Sequence, residues 1–172
     1  MSYIMVDVEA DGPIPGDYSM VCFGAVVVEP GLPREFYGRL RPISDRFVPE
    51  ALDISGFSRE ETLAFGDPKG VMASFAEWLA DHGGKRVFFI SDNNGFDWQF
   101  INWYFHHFLG HNPFGHSSAN LGSLYQGLVK DTLQSFKDLR RTSHTHHPLD
   151  DARGNAEALL HMKEAMGLRL PF

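Results

Sequence analysis

KRVFFISDNNGFDWQFINWYFHHFL, residues 85–109, changes from one kind of apolar pattern to another within a few positions. Its first part, Lys85 to Ser91, is apolar through the middle and of strand length, so it reads as a strand in the interior of a sheet. Asn93, Asn94 and Gly95 suit a tight turn. Phe96 to Leu109 then reads as a helix that is apolar nearly all round, which calls for burial on both sides or for a covering partner. A buried strand running straight into a helix is the repeating unit of an α/β sheet.

Upstream of this stretch, Tyr3 to Glu9 reads as a strand, Ser19 to Glu29 (SMVCFGAVVVE) as a second and Glu35 to Ile43 as a shorter third. DGPIPGDY, residues 11–18, supplies the Gly, Pro and Asp of a connecting turn. Ser58 and Glu61 have capping-box spacing. Asp67 and Pro68 supply an N-cap and a first-turn proline for a helix with the stripe Val71, Met72, Phe75, Trp78 and Leu79, ended by Gly83-Gly84. Leu121, Leu124, Tyr125, Leu128 and Val129 mark another helix, and the last runs from about Asp150 to Met166. The expected architecture is α/β: a mixed β-sheet, with a three-strand antiparallel meander plus parallel strands, flanked by helices in one domain over residues 1–172.

A chain of 172 residues with 43% hydrophobic and 22% charged residues can build a core and does not read as disordered. No apolar run approaches the roughly 18 to 20 residues needed to span a bilayer. The start, MSYIMVDVEADG, carries acids within its first ten residues and no basic segment, so no signal peptide is expected and the cytoplasm is the expected location. Cys22, alone, excludes an internal disulfide or a cysteine-based zinc site. A net charge of −7 argues against coating nucleic acid with a basic surface. It leaves room for an enzyme that holds a short polyanion through metal ions and a few cations.

Three constellations carry chemistry. Asp7 and Glu9 stand two apart in an otherwise apolar strand, so both carboxylates project from one face. Two like charges there need a cation between them, or a strand that ends early in water. Asp97 follows the strand-to-helix junction SDNNGFD, a common place for ligand sites, although a first-turn acid also simply favours the helix dipole. HTHHPLDDARGNAEALL, residues 144–160, sets His146 five positions before Asp151. A histidine there can deprotonate a water near neutral pH; the bland reading of His144, His146 and His147 is a solvated loop.

Taken together and in order, DVEADG, NNGFD and HHPLDDA resemble the three motifs of the DEDDh 3′→5′ exonucleases, which include ribonuclease T, oligoribonuclease and proofreading subunits of DNA polymerases. PGDYSMVCFGAVVV and FVPEALDISGFSREE resemble further segments of that family, so the likeness covers most of the chain. It implies an RNase H-like fold and 3′→5′ hydrolysis of phosphodiester bonds, releasing nucleoside 5′-monophosphates. The matching positions make Asp7, Glu9, Asp97 and Asp151 ligands of two divalent cations, Mg²⁺ or Mn²⁺, with His146 as general base. Ala10-Asp11 stands where the family often has two threonines, which bears on contacts to the terminal nucleotide. Asp92 precedes Asn93 where a histidine or small residue is usual.

Asp11, Asn93, Phe96 and Arg153 are the candidate substrate contacts, with Arg140 and Arg141 as further phosphate binders and Trp98 and Phe23 as further stacking groups. Each of these aromatics has core packing as its commoner role, and each arginine can equally be a solvated surface charge. The expected partner is the 3′ end of a single strand, RNA favoured over DNA, with no membrane. A homodimer is expected from the aromatic helix 96–109. Readings from other classes are an inactive nucleic-acid-binding module on the same fold and a serine hydrolase, for which GHSSA at 115–119 lacks the second glycine of a nucleophile elbow. Cys22, inside an apolar strand, is expected to be inert.

Overall fold

A computed structural model describes residues 1–170. Five strands form one sheet: β1 (Ser2–Ala10), β2 (Met20–Val27), β3 (Glu35–Arg39), β4 (Val87–Ser91) and β5 (Ser118–Asn120), in the order β3-β2-β1-β4-β5. β1 pairs antiparallel with β2, and β2 with β3, as the meander requires. β4 runs parallel to β1 and to β5, so it lies inside the sheet, where its apolar middle belongs.

Helices cover both faces. α3 (Pro68–His82) and α4 (Asn94–Leu109) lie on one side. There Val6, Val8, Phe23, Phe75, Phe89, Phe100 and Tyr104 form a core dominated by aromatic contacts. α5 (Leu121–Val129) and α6 (Pro148–Met166) lie on the other, against Met5, Val26, Ile90, Ala156 and Leu159. This packing takes up part of the apolar surface of α4: Phe100, Ile101, Tyr104 and Phe105 are buried, while Trp98, Trp103 and Phe108 are half-buried against the same core. The buried Tyr104 hydroxyl is satisfied by the Met20 amide, which donates to it at 2.8 Å and ties α4 to the start of β2.

Two short helices, α1 (Pro49–Ile54) and α2 (Arg59–Leu63), follow β3. α2 has its capping box, Ser58 accepting from the Glu61 amide and Glu61 from the Ser58 amide. α1 and the three-residue β5 are not signalled by periodicity, since neither is long enough to show one. β3 ends at Arg39 rather than Ile43, and α4 begins at Asn94, two residues before Phe96. No described helix is long and apolar enough to cross a membrane.

Candidate active site

The sheet brings its acids together at the C-terminal half of β1. Alternation along the strand puts Asp7 and Glu9 on the face covered by α6, and the register sets Gly24 and Cys22 opposite them on β2. Gly24 is what lets α6 come close. A Cβ there would lie 2.5 Å from the backbone of Pro148 and Leu149, so any larger residue would push the helix start away. With the helix seated, Asp151 in its first turn reaches the strand acids. Carboxylate oxygens of Asp7, Glu9 and Asp151 lie within 4.8 Å of one another. A glycine inside a β-branched run is the sequence signal of such an approach.

Asp97 arrives from the opposite layer, in the first turn of α4, and is 2% exposed. The Val8 amide donates to its Oδ1 at 3.2 Å, while its Oδ2 is buried without a hydrogen-bond partner. It does not share the mutual 4.8 Å spacing of the other three, yet its charge is felt by Asp7. Burial, then the charges of Asp97, Glu9 and Asp151, hold the Asp7 carboxyl well above the usual carboxylate range. Burial and Asp151 push Glu9 up to about 7. Burial is also the main cause that raises Asp97, to about 8, against contacts with Ser91 and the Val8 amide that favour its charged form.

Three carboxylates gathered within 4.8 Å, with a further buried acid whose Oδ2 has no hydrogen-bond partner, fit a hard divalent cation. Asp7, Glu9, Asp97 and Asp151 would hold it.

Asp151 is braced by several donors. Arg140 donates from Nη2 to its Oδ1 at 2.8 Å, the Thr145 amide donates to the same oxygen, and His144 Nδ1 lies 2.9 Å from it. The His146 amide donates to Oδ2 at 3.0 Å. His146 also has a left-handed backbone, φ 59°, which is rare for a residue with a side chain and is found most often at functional sites. A ring nitrogen of His146 lies within 4.8 Å of an Asp151 oxygen and of the His144 ring. Arg140 is nearly buried in a slot over α6 that exists because residue 154 is glycine: a Cβ there would be 2.5 Å from Arg140 Nε.

The expected substrate contacts divide. Phe96 is half-buried and lines an apolar groove of about 470 Å³ with Glu9, Pro13 and Ile54 beside the acids. Asn93 is exposed at the start of α4 and caps nothing with its side chain. Asp11 is fully buried, and its role is structural. It accepts from the Ser19 amide at 2.5 Å and from Arg59 Nη1 at 2.9 Å, fastening α2 to the end of β1. Arg153 faces β3, where Glu35 and the Leu32 carbonyl take its guanidinium. Arg140 is occupied by Asp151 rather than open to phosphate, and Phe23 is in the core. Trp98 packs edge-on against Phe89.

The 3′-5′ DNA exonuclease Cap18 of Escherichia coli is 39% identical to the chain over 166 residues, 90% of this chain and 88% of that one. No family model matches. Among solved structures, the nuclease domain of 3′hExo, a DEDDh family member bound to rAMP, superposes with a TM-score of 0.76 at 17% identity, over 99% of this chain and 96% of that one. Escherichia coli exonuclease I in complex with a dT13 oligonucleotide gives a TM-score of 0.72 at 16% identity, over 94% of this chain and 41% of that longer one. The two structures speak for the fold; the 39% relative speaks for the family.

Proposed function

This chain belongs to the DEDDh 3′→5′ exonucleases, and we propose that it removes nucleoside 5′-monophosphates one at a time from the 3′ end of a single DNA strand. One observation carries the chemistry: Asp7, Glu9 and Asp151 converge to within 4.8 Å, and Asp97, with its unpartnered Oδ2, is near enough for its charge to act on Asp7. Two divalent cations, Mg²⁺ or Mn²⁺, bound by these four residues, would supply Lewis-acid polarisation of the scissile phosphate and a more acidic attacking water. The residues of the chain do the rest. His146 accepts the water proton at a ring nitrogen, its main chain held by Asp151. Arg140 and the Thr145 amide keep the Asp151 carboxylate aimed at the strand acids. The Phe96 groove, apolar and open on the Glu9 side, suits the terminal nucleobase.

Motif likeness to ribonuclease T and oligoribonuclease favours RNA, but the 39%-identical relative is named as a DNA exonuclease, and that favours DNA. Matched DNA and RNA oligomers labelled at the 5′ end separate the two. The expected result is a ladder shortening from the 3′ end, faster on DNA, that needs Mg²⁺ or Mn²⁺ and stops with chelator. Faster shortening of RNA would reverse the assignment, and no metal-dependent shortening of either would remove it.

The reading includes a homodimer, supported by Trp98, Trp103 and Phe108 of α4, which the core leaves half-covered. Light scattering at micromolar concentration should give twice the chain mass of 19.4 kDa; the single mass would refute it.

A further inference from the structure

The sheet register that gathers the acids also carries them outward to the edge of the sheet. Asp7 stands opposite Gly24, and Gly24 opposite Tyr37; Glu9 stands opposite Cys22, and Cys22 opposite Arg39. Residues directly opposite in a ladder share a face. Tyr37 and Arg39 therefore lie on the catalytic face, two strand spacings, or about 10 Å, from Asp7 and Glu9. Between them Gly24 lies under the start of α6 and Cys22 is buried, so the two ends of these rows communicate around the α6 N-terminus.

His147, one residue beyond the general base, lies against Tyr37 with ring centroids 4.8 Å apart. The surface thus continues from His146 to β3. At that edge a groove of about 570 Å³ is lined by Tyr37, Arg39 and Phe65 and reaches round β3 to Val71 and Ser74 of α3 on the other face. The Arg39 guanidinium lies over the Phe65 ring, 5.1 Å from its centroid. Among the described residues Arg39 is one of four arginines without an ion pair, with Arg86, Arg141 and Arg169, and the one of them that lines this groove. Arg34, Arg41, Arg46, Arg59, Arg140 and Arg153 each contact a carboxylate, whereas Arg39 is exposed and has no ion pair among the described residues. The groove's acid, Asp67, is itself held by Arg41 at 2.7 Å.

We propose that this edge groove is a second subsite, in which Arg39 binds a phosphate of the substrate strand 5′ to the scissile bond and Phe65 and Tyr37 border the neighbouring nucleotide. The inference rests on the exonuclease reading above and names where the rest of the strand goes. The positions of the two grooves give the direction. The Phe96 groove lies past the end of β1, between α1 and the start of α4 and with Glu9 in its lining, and the Arg39 groove lies at β3, two strands from β1. The acids adjoin the first groove, so a strand whose terminal nucleotide fills it has its 5′ part left to reach the second. An unpaired arginine stacked on an aromatic ring is suited to phosphate and base together.

The test compares a dinucleotide with a dodecamer, both single-stranded DNA, for wild type, Arg39→Ala, Arg39→Glu and Arg39→Lys. On the dodecamer, Arg39→Glu should raise KM about tenfold with kcat little changed, and Arg39→Lys should recover part of the loss. Arg39→Ala should lower the slope of log KM against log salt by about 0.7, the share of one phosphate contact on a single strand. On the dinucleotide, which cannot reach the groove, all four proteins should agree. An unchanged dodecamer KM, an unchanged salt slope, or equal losses on both substrates would overturn the subsite while leaving the nuclease reading intact. A wild type inactive on both substrates would instead remove the DNA-exonuclease reading on which the subsite rests.

Discussion

Asp97→Asn should lower kcat about a thousandfold and, in the same preparation stripped of metal, make the protein more stable at pH 8 than the wild type. The two effects have one cause. Asp97 Oδ2 is buried without a hydrogen-bond partner, which suits the proposed cation, and without a cation the charged carboxylate is costly there. Its folded pKa, about 8, stands far above the roughly 3.9 of an unfolded aspartate. Between those values the native state binds more protons than the unfolded state, so the stability of the metal-free protein falls as pH rises. The contribution is complete below about pH 4 and is lost progressively towards pH 8. Glu9, raised to about 7, and Asp7 act in the same direction.

Asparagine keeps an oxygen for the Val8 amide and turns an NH₂ towards the remaining carboxylates, so the variant escapes the Asp97 share of this loss. The difference in its favour should be on the order of 2 kcal/mol at pH 8, about 5 °C in Tm, and should vanish near pH 4. Saturating Mg²⁺ should reverse the order, since it stabilises the form that binds it. Melting curves across pH, with and without Mg²⁺, check all three statements. Parallel pH profiles for the two proteins, or a variant that keeps its turnover, would show that Asp97 holds no metal.

The acids were legible in the sequence because each breaks a local rule. Asp7 and Glu9 interrupt an apolar strand at its own period of two, and Asp97 and Asp151 each sit in the first turn of a helix whose start is marked by turn residues or proline. Their convergence was not local. It depends on Gly24, whose missing side chain lowers α6 onto the sheet, and on Gly154, whose missing side chain admits Arg140. The run VCFGAVVV shows the first glycine, but nothing in it says which backbone approaches.

The substrate contacts were harder for the same reason. Asp11 adjoins the first motif and resembles a ligand-facing group until Arg59, 48 positions away, is seen to take its carboxylate. Arg153 lies beside Asp151 in the chain, yet its helix face is turned to Glu35, 118 positions away. Arg39 shows the reverse case. No motif contains it, and only the pairing of β1 with β2 and β2 with β3 aligns it with Glu9. Patterns of period two or 3.6 report which face a residue occupies and leave open what occupies the facing element.

His146→Ala should lower kcat about a thousandfold with KM nearly unchanged, within the range by which a positioned base accelerates proton transfer. The substitution is clean because the link from residue 146 to Asp151 runs through the main chain, where the amide donates at 3.0 Å. Removing the imidazole therefore leaves the Asp151 brace in place, along with Arg140 and the Thr145 amide. Metal binding, read by the Mg²⁺-dependent rise in Tm, should match the wild type, which separates loss of a base from loss of a ligand. Free imidazole in the assay should restore part of the activity, because it can take the water proton through the space the ring has left. His144 is the control. Its ring lies 4.2 Å from that of His146 and its Nδ1 touches Asp151, but Arg140 and two amides also hold that carboxylate, so His144→Ala should cost less than about tenfold. A larger loss from His144→Ala than from His146→Ala, with rescue by imidazole only in the former, would move the base to His144. Equal and small losses from both would mean that the proton leaves the water without either ring, and the catalytic role assigned to the left-handed turn at residue 146 would have to be given up.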